Sequence, residues 1–305
     1  MTFSKVSIRV PATTANLGPG FDSLSLALDL WNESTISFSE SKTQVNVHGE
    51  GEGCLPLDET NLIARVAIQF LRENGFNKNV TLQVVCHNQI PLGSGMGSSA
   101  AAVLTGLLGA NILAGSPLDD RQILLKAAEI EGHADNAAAA LLGGLVVVIN
   151  GGDQLITKKF ELNDLPVLII LPAFHFPTSM ARSVLPATIS HNDAVFNIGR
   201  AVLVVDALRN VEYSLLPKIM DDRLHQPYRL KIIPGAIEAM QKVQKACHCS
   251  MCLSGAGPSL VGFMAESERP TAADIAVQEF NKVGITSRTF FLQSTNNGAS
   301  IRVFS

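Results

Sequence analysis

The sequence predicts a mixed α+β fold in two parts, residues 1–160 and 161–305. Three observations carry that expectation. The 305 residues exceed what one hydrophobic core ordinarily serves. Strand-like and helix-like periodicities both recur along the chain. A turn-forming run, Asn150-Gly151-Gly152-Asp153, falls near the middle. An apolar content of 47% is ample for both parts.

In the first part, Val6, Ile8 and Val10 alternate with polar residues, as do Leu24, Leu26, Leu28 and Leu30, which predicts strands with one buried face. Between them PATTANLGPGFDS offers turn formers and small hydroxyl and amide side chains that can bind a ligand. From Asp58, the residues Leu62, Ile63, Val66, Ala67, Phe70 and Leu71 recur at helical spacing up to Gly75. A strand around Val80 to Cys86 leads into a glycine-rich loop, and an apolar small-residue helix runs from Ser99 through Leu113. The next helix starts with Ser116 as N-cap and Pro117 at its first position, and runs to about Glu131. Leu145 to Ile149 reads as a strand.

The second part gives a strand at Val167 to Leu171, helical material from about 191 to 245, two strands flanking SGAGP, a helix at about 272–283 and a strand at Thr289 to Leu292. That is the ferredoxin-like order, an antiparallel sheet with helices on one face. No internal repeat or low-complexity tract interrupts either part.

Bulk properties exclude several classes of function. The net charge is −4, with no long run of either sign, so the footprint of a nucleic-acid or anionic-membrane binder is missing. The longest apolar stretch, Ala137 to Ile149, has 13 residues including two glycines, short of the ~20 a membrane span needs. The alternating N-terminus lacks the hydrophobic core of a signal peptide, and five cysteines are too few for a disulfide scaffold; both point to the cytoplasm. The cluster Cys247-His248-Cys249-Ser250-Met251-Cys252 matches no common zinc spacing and is read as small buried hydrophobes.

Gly93, Gly95 and Gly97 run into Ser98-Ser99 and directly open a helix. Glycines let backbone N–H groups approach an anion, and a helix N-terminus adds unsatisfied donors and the positive end of its dipole. On glycines alone, a tight strand-to-helix turn without a ligand is an equal alternative. No lysine precedes the serines, so this is not a Walker A loop, and the spacing does not match the dinucleotide fingerprint.

PLGSGMGSSAA is instead similar to the second motif of GHMP kinases, P-x-x-x-G-L-G-S-S-A-A, with Met96 at the usual leucine. PATTANLGPGFDSLSLALDL resembles the first motif of homoserine kinases, EGHADN at 131–136 their central motif, and LSGAGPSL at 253–260 the third superfamily motif. Four such motifs in order are highly specific. The resemblance implies an N-terminal domain of the ribosomal-protein-S5-like kind ahead of the ferredoxin-like one, and it implies ATP with Mg²⁺ as cofactors. Nucleotide contacts would come from Pro91, Gly93, Ser94, Gly95, Met96, Gly97, Ser98, Ser99, Ala100 and Ala101, and from Asn61.

Leu124, Ala127, Ala128 and Glu131 share one helix face while Glu129 points away, so Glu131 is a carboxylate on an inward stripe. It is read as a solvated or ion-paired acid or, as the resemblance implies, a Mg²⁺ ligand together with Ser99, or with Ser98 in its place. Asn136 stands near the position where many GHMP kinases carry an aspartate base, and an amide cannot take that role. Catalysis would then rest on in-line positioning and charge neutralisation, with Asn136, Asn16 and Arg182 as catalytic groups. Asn16 and Asp22 would orient the substrate hydroxyl and amine, although both also suit plain turn chemistry. His133, Thr178, Arg182, Arg229 and Gly257 complete the implied substrate site, the two arginines facing an α-carboxylate. The implied substrate is L-homoserine. The alternatives are another small alcohol, such as threonine or a mevalonate-like acid, or a non-catalytic ligand sensor. A homodimer is allowed, and the sequence does not fix the oligomeric state.

Overall fold

The computed structural model describes residues 4–151, 154–174 and 177–304, so Gly152 and Asp153 of the expected central turn lie outside the described residues. The chain opens with β1 (Lys5–Ala15) and β2 (Leu24–Phe38), an antiparallel pair whose inward residues Val6, Ile8, Leu26 and Leu28 are fully buried. Next come β3 (Gln44–Gly49), α1 (Leu62–Glu73) and β4 (Leu82–Asn88), in which β3 and β4 pair in parallel across the helical connection. Three helices follow, α2 (Ser98–Leu113), α3 (Asp120–Glu131) and α4 (Asp135–Leu142), and then the hairpin of β5 (Leu145–Asn150) and β6 (Leu155–Phe160).

The remaining elements are β7 (Pro166–Pro172), α5 (Thr178–Ser183), α6 (His191–Asn210), α7 (Leu216–Ile219), α8 (Gln226–Arg229), α9 (Ala236–Ala246), β8 (Ser250–Leu253), β9 (Leu260–Phe263), α10 (Arg269–Lys282), β10 (Ser287–Gln293) and β11 (Ser300–Phe304). The second sheet is antiparallel in the order β10-β7-β9-β8, the ferredoxin-like arrangement. In the first sheet the order is β11-β1-β2-β4-β3, with β5 on β2 and β6 on β5. Residues 300–304, assigned by sequence to the second part, therefore belong to the first sheet, where Ile8 pairs with Ile301.

β7 shows why the two halves pack so closely. Val167 and Ile169 join the core shared with the first sheet, while Leu168 and Ile170 join a second cluster with Leu253, Leu260 and Phe280. A strand buried on both faces reads as a continuous apolar run, as Val167 to Ile170 does. α2 is buried nearly all round because its small side chains admit α1, α3 and β1 at short range. Among the described residues no helix is long and apolar enough to cross a membrane.

One expected boundary moves. Ser116 does not cap α3 but sits in the left-handed region at φ 61°, and Asp119 caps the helix in a reciprocal capping box with Gln122. An Asp with Gln three residues on satisfies two orphan N–H groups, where Ser116 would satisfy one. The buried cysteines are packed as expected, and burial pushes the Cys249 and Cys252 thiols up to about 12.

Candidate active site

Four chain segments meet at one cleft: the end of β1 with the loop that follows it, the glycine loop entering α2, the α3–α4 junction, and the turn between β8 and β9. α5 and α8 close it from the side. The glycine loop is held from within, because Ser94 Oγ donates to the Pro91 carbonyl (2.7 Å) and accepts from the Met96 N–H (3.2 Å). It is held from outside by β1, where the Thr13 N–H donates to the Met96 carbonyl at 3.1 Å. At Gly95 (φ 78°) a Cβ would stand 2.3 Å from the Ser254 carbonyl oxygen, so only glycine lets this loop reach the β8–β9 turn. Gly97, left-handed as well, caps α2 and leaves the N–H groups of Ser98, Ser99 and Ala100 at the cleft.

Of the residues expected to bind nucleotide, Gly93, Ser94, Gly95, Gly97, Ser98, Ser99 and Ala100 line the cleft. Met96 and Ala101 are buried behind it, and Pro91 lines a neighbouring cavity together with Leu92 and Gly93. Asn61 is not brought to the cleft. Its carboxamide caps α1 by accepting from the Ile63 N–H (3.1 Å) and donates to the Pro56 carbonyl (2.9 Å), a use of asparagine that competes with any ligand.

Across the loop, Ser99 Oγ donates to Glu131 Oε1 at 2.7 Å. Glu131 is half-buried at the end of α3, and Glu129 is exposed outside this cleft, so the helical face read from the sequence is the one presented here. Two hard oxygens held together suit Mg²⁺. Among the described residues no group of three His, Cys, Asp or Glu could hold a metal ion on its own, so the remaining ligands of such an ion would be phosphate and water oxygens.

The α4 N-terminus carries Asn136 and Asp135. The first helical turn fixes both, and Asp135 is almost completely buried, a position the sequence reading passed over. Asp135 Oδ1 accepts from His133 Nδ1 (2.8 Å), from the Asn136 N–H (2.8 Å) and from Asn136 Nδ2 (3.3 Å). Thr13 Oγ1 donates to Asn136 Oδ1 at 2.8 Å. With both ends of its amide engaged, Asn136 is locked in one rotamer. The hydrogen bond to Asp135 holds the His133 imidazole above its ordinary value against the effect of burial.

At the other end of the cleft, Asn16 and Asp22 both adopt positive φ (70° and 53°) in the loop after β1. Asn16 Nδ2 donates to the Gly255 carbonyl (2.7 Å), and Asn16 Oδ1 accepts from the Asp22 N–H (2.9 Å). Arg182 meets Asp22 end-on, donating from Nη1 to Oδ2 at 3.1 Å and from Nη2 to Oδ1 at 3.0 Å. Arg229 lies deeper, only 1% exposed; burial, with Arg182 nearby, pulls its guanidinium down to about 10, so it remains a cation at neutral pH. Thr178, at the start of α5, and Gly257 complete the lining. Sequence reasoning missed Thr13, Asp135 and Ser254, whose hydroxyl bridges Thr14 Oγ1 (2.9 Å) and the Gly95 carbonyl (2.8 Å). Thr13, Asp135 and Ser254 all lie inside the quoted motifs, and that adjacency was the available signal.

Comparison with known proteins fits this geometry. Residues 61–144, which contain the glycine loop, Glu131 and Asn136, match the GHMP kinases N terminal domain. A homoserine kinase of Moorella thermoacetica is 38% identical over 295 residues, 96% of this chain and 99% of the relative. One from Caldanaerobacter subterraneus subsp. tengcongensis is 40% identical over 307 residues, covering 99% and 96%. The crystal structure of homoserine kinase from Cytophaga hutchinsonii superposes with a TM-score of 0.85 at 28% identity, covering 99% of this chain and 98% of that one. With its glycine loop, acidic helix end and Arg182–Asp22 pair on one cleft, and with 38–40% identity to these relatives over nearly its whole length, the chain belongs to the homoserine kinase family of GHMP kinases.

Proposed function

We propose that this chain transfers the γ-phosphoryl group of ATP to the hydroxyl of L-homoserine, giving O-phospho-L-homoserine for threonine biosynthesis in the cytoplasm. The observation that carries the reading is the Arg182–Asp22 pair. A cation and an anion lie face to face on the same cleft as the phosphate loop, and a zwitterionic amino acid can replace each as the other's partner. Its carboxylate would take Arg182 and the inner Arg229, and its ammonium Asp22.

The glycine loop and the α2 N-terminus would hold the phosphates through backbone N–H groups. Ser99 and Glu131 would hold Mg²⁺, which when bound neutralises phosphate charge. Of the cleft carboxylates, Asp22 is paired with Arg182 and Glu131 with Ser99, while one oxygen of Asp135 already accepts three hydrogen bonds. Residue 136 itself is an amide that cannot take the proton, and phosphoryl transfer tolerates that because its loose transition state asks mainly for alignment and charge stabilisation. Asn16 and Asn136 would orient the hydroxyl for in-line attack. We assign the catalytic work to Asn16, Asn136 and Arg182, and the ATP-binding and substrate-completing parts to residues 1–160 and 161–305.

The test compares L-homoserine with its carboxyl-reduced amino diol at saturating Mg²⁺–ATP. Loss of the carboxylate leaves the buried Arg229 cation without a charged partner, so discrimination of about 10⁴-fold in kcat/KM is expected. Equal turnover of the two acceptors would refute the assignment of the pocket.

A further inference from the structure

We infer that His225 is a positioning residue for the carboxylate end of the substrate, fixing the Arg229 guanidinium and tying it to the loop that carries Asn16 and Asp22. This rests on the reading of Arg229 given above.

His225 has no exposed surface and stands at the entrance to α8, one turn before Arg229. Its backbone N–H donates to Asp222 Oδ2 at 2.9 Å, which fixes the main chain. Ring nitrogen Nε2 lies 2.9 Å from the Gly18 carbonyl oxygen. A carbonyl can only accept, so Nε2 carries the hydrogen. In the neutral ring Nδ1 is then an acceptor, and it faces Arg229 Nη1 at 3.4 Å. Burial pushes the imidazole down from its usual value, against the pull of Asp222 at 3.6 Å and of Asp22, while Arg229 reinforces the neutral form. A protonated ring would set two donors against each other at Arg229. The ring face stacks on Phe21, centroids 5.2 Å apart, and Phe21 sits directly before Asp22.

Arg229 also lies over the Phe21 ring (5.1 Å to its centroid), and its other hydrogen bonds go to backbone carbonyls, Nε donating to Ala181 (3.0 Å) and Nη1 to Gly255 (3.4 Å). His225 is thus the one side chain among the described residues that hydrogen-bonds to this guanidinium, and Nη2 has no hydrogen-bond partner among them. The free Nη2 is what a carboxylate would meet. Its direction is set by three acceptors, two of them on segments that also serve substrate: Ala181 precedes Arg182, and the Gly255 carbonyl also accepts from Asn16. A side chain doing this must donate at one end and accept at the other across the width of an imidazole. Histidine does so without a net charge.

The experiment measures KM for L-homoserine and for ATP in His225→Phe, which keeps the ring on Phe21 and removes both polar contacts, and in His225→Asn, whose carbonyl can replace Nδ1. His225→Phe should raise the homoserine KM by about 10- to 100-fold with the ATP KM changed less than about 3-fold, and His225→Asn should recover part of that loss. Turnover of the carboxyl-reduced diol should not respond to either substitution. A homoserine KM within about 2-fold of the parent in the folded variants, or homoserine, diol and ATP kinetics deteriorating together, would overturn the positioning role while leaving the pocket assignment standing. If the parent uses the diol as well as homoserine, the pocket assignment fails first and the role of His225 with it.

Discussion

Replacing Gly95 by alanine should separate the glycine loop from the β8–β9 turn, and the effect can be sized from the structure. A Cβ at this position meets the Ser254 carbonyl oxygen at 2.3 Å and the Gly257 carbonyl oxygen at 2.9 Å, both backbone atoms that cannot rotate away. Left-handed geometry costs an L-residue roughly 1–2 kcal/mol, and forcing an extra carbon into a packed contact typically adds about 1–3 kcal/mol. The sum is roughly 2–5 kcal/mol. Gly93 is the internal control, since its φ is also positive (58°) but a Cβ there meets nothing within 4 Å. Gly93→Ala should therefore cost the backbone part alone. With an unfolding entropy of roughly 2.1 cal/mol/K per residue, a chain of this length should lose about 3–8 °C in Tm at Gly95 and about 2–3 °C at Gly93. Scanning calorimetry measures both, and a steady-state assay should show kcat falling with Gly95→Ala because the loop can no longer seat against the turn. Equal Tm losses at the two positions, with kcat untouched by Gly95→Ala, would refute the reasoning.

Glu131→Gln keeps the shape of the Ser99 contact and removes the charge, so kcat should drop by about 10²-fold or more with little change in Tm, whereas Glu129→Gln should stay near the parent; the reverse pattern would show the wrong helical face has been assigned. Asn136→Ala should lose roughly 10- to 10³-fold through orientation alone, and Asn136→Asp should be no faster than the parent because it sets a second negative charge beside Asp135; a sharply accelerated Asn136→Asp enzyme would argue for a missing base. His133 is held above its ordinary value by Asp135, so the folded state binds its proton more tightly than the unfolded chain does. That stabilisation is complete below about pH 6.5 and disappears as pH rises through the folded value, so the Tm gap between the parent and His133→Gln should be widest in acid and close on the alkaline side. A gap that widens with rising pH would contradict the contact.

Legibility from sequence followed the physics of each region. The central strands of the second sheet, β7 and β9, were plain because burial on both faces leaves largely unbroken apolar runs. The glycine loop was plain because anion binding at a helix N-terminus leaves glycines and hydroxyls at fixed spacing. β3, β6 and β11 were missed: β11 alternates over only four residues, Ser300 to Val303, too short a run at the chain's edge to stand out, and it is exposed along its whole length. α4 was hidden because its alanines and leucines continue an apolar stretch into β5, and only the left-handed cap at Gly143 divides them. In the cleft, the motifs pointed to many single residues but not to Thr13, Asp135 and Ser254 within them. Relations between residues were not legible, and the Arg182–Asp22 pairing across 160 positions of chain has no local sequence signature.

The return of β11 to β1 means that the chain passes between the two sheets twice, once after β6 and once after β10. The two passages run side by side and are stitched together. The Ser294 N–H donates to the Leu165 carbonyl (2.9 Å), the Leu165 N–H to Ser294 Oγ (3.2 Å), and the Asn296 carboxamide bonds both the N–H and the carbonyl of Leu162 (2.9 and 2.8 Å). A doubled strap of this kind bends like a ribbon and resists torsion, so any opening of the cleft is steered toward one axis. It also sets an order on synthesis. The edge of β1 stays unpaired until residues 300–304 have left the ribosome, and a nascent chain must shield that edge by other means or risk pairing it with a neighbour.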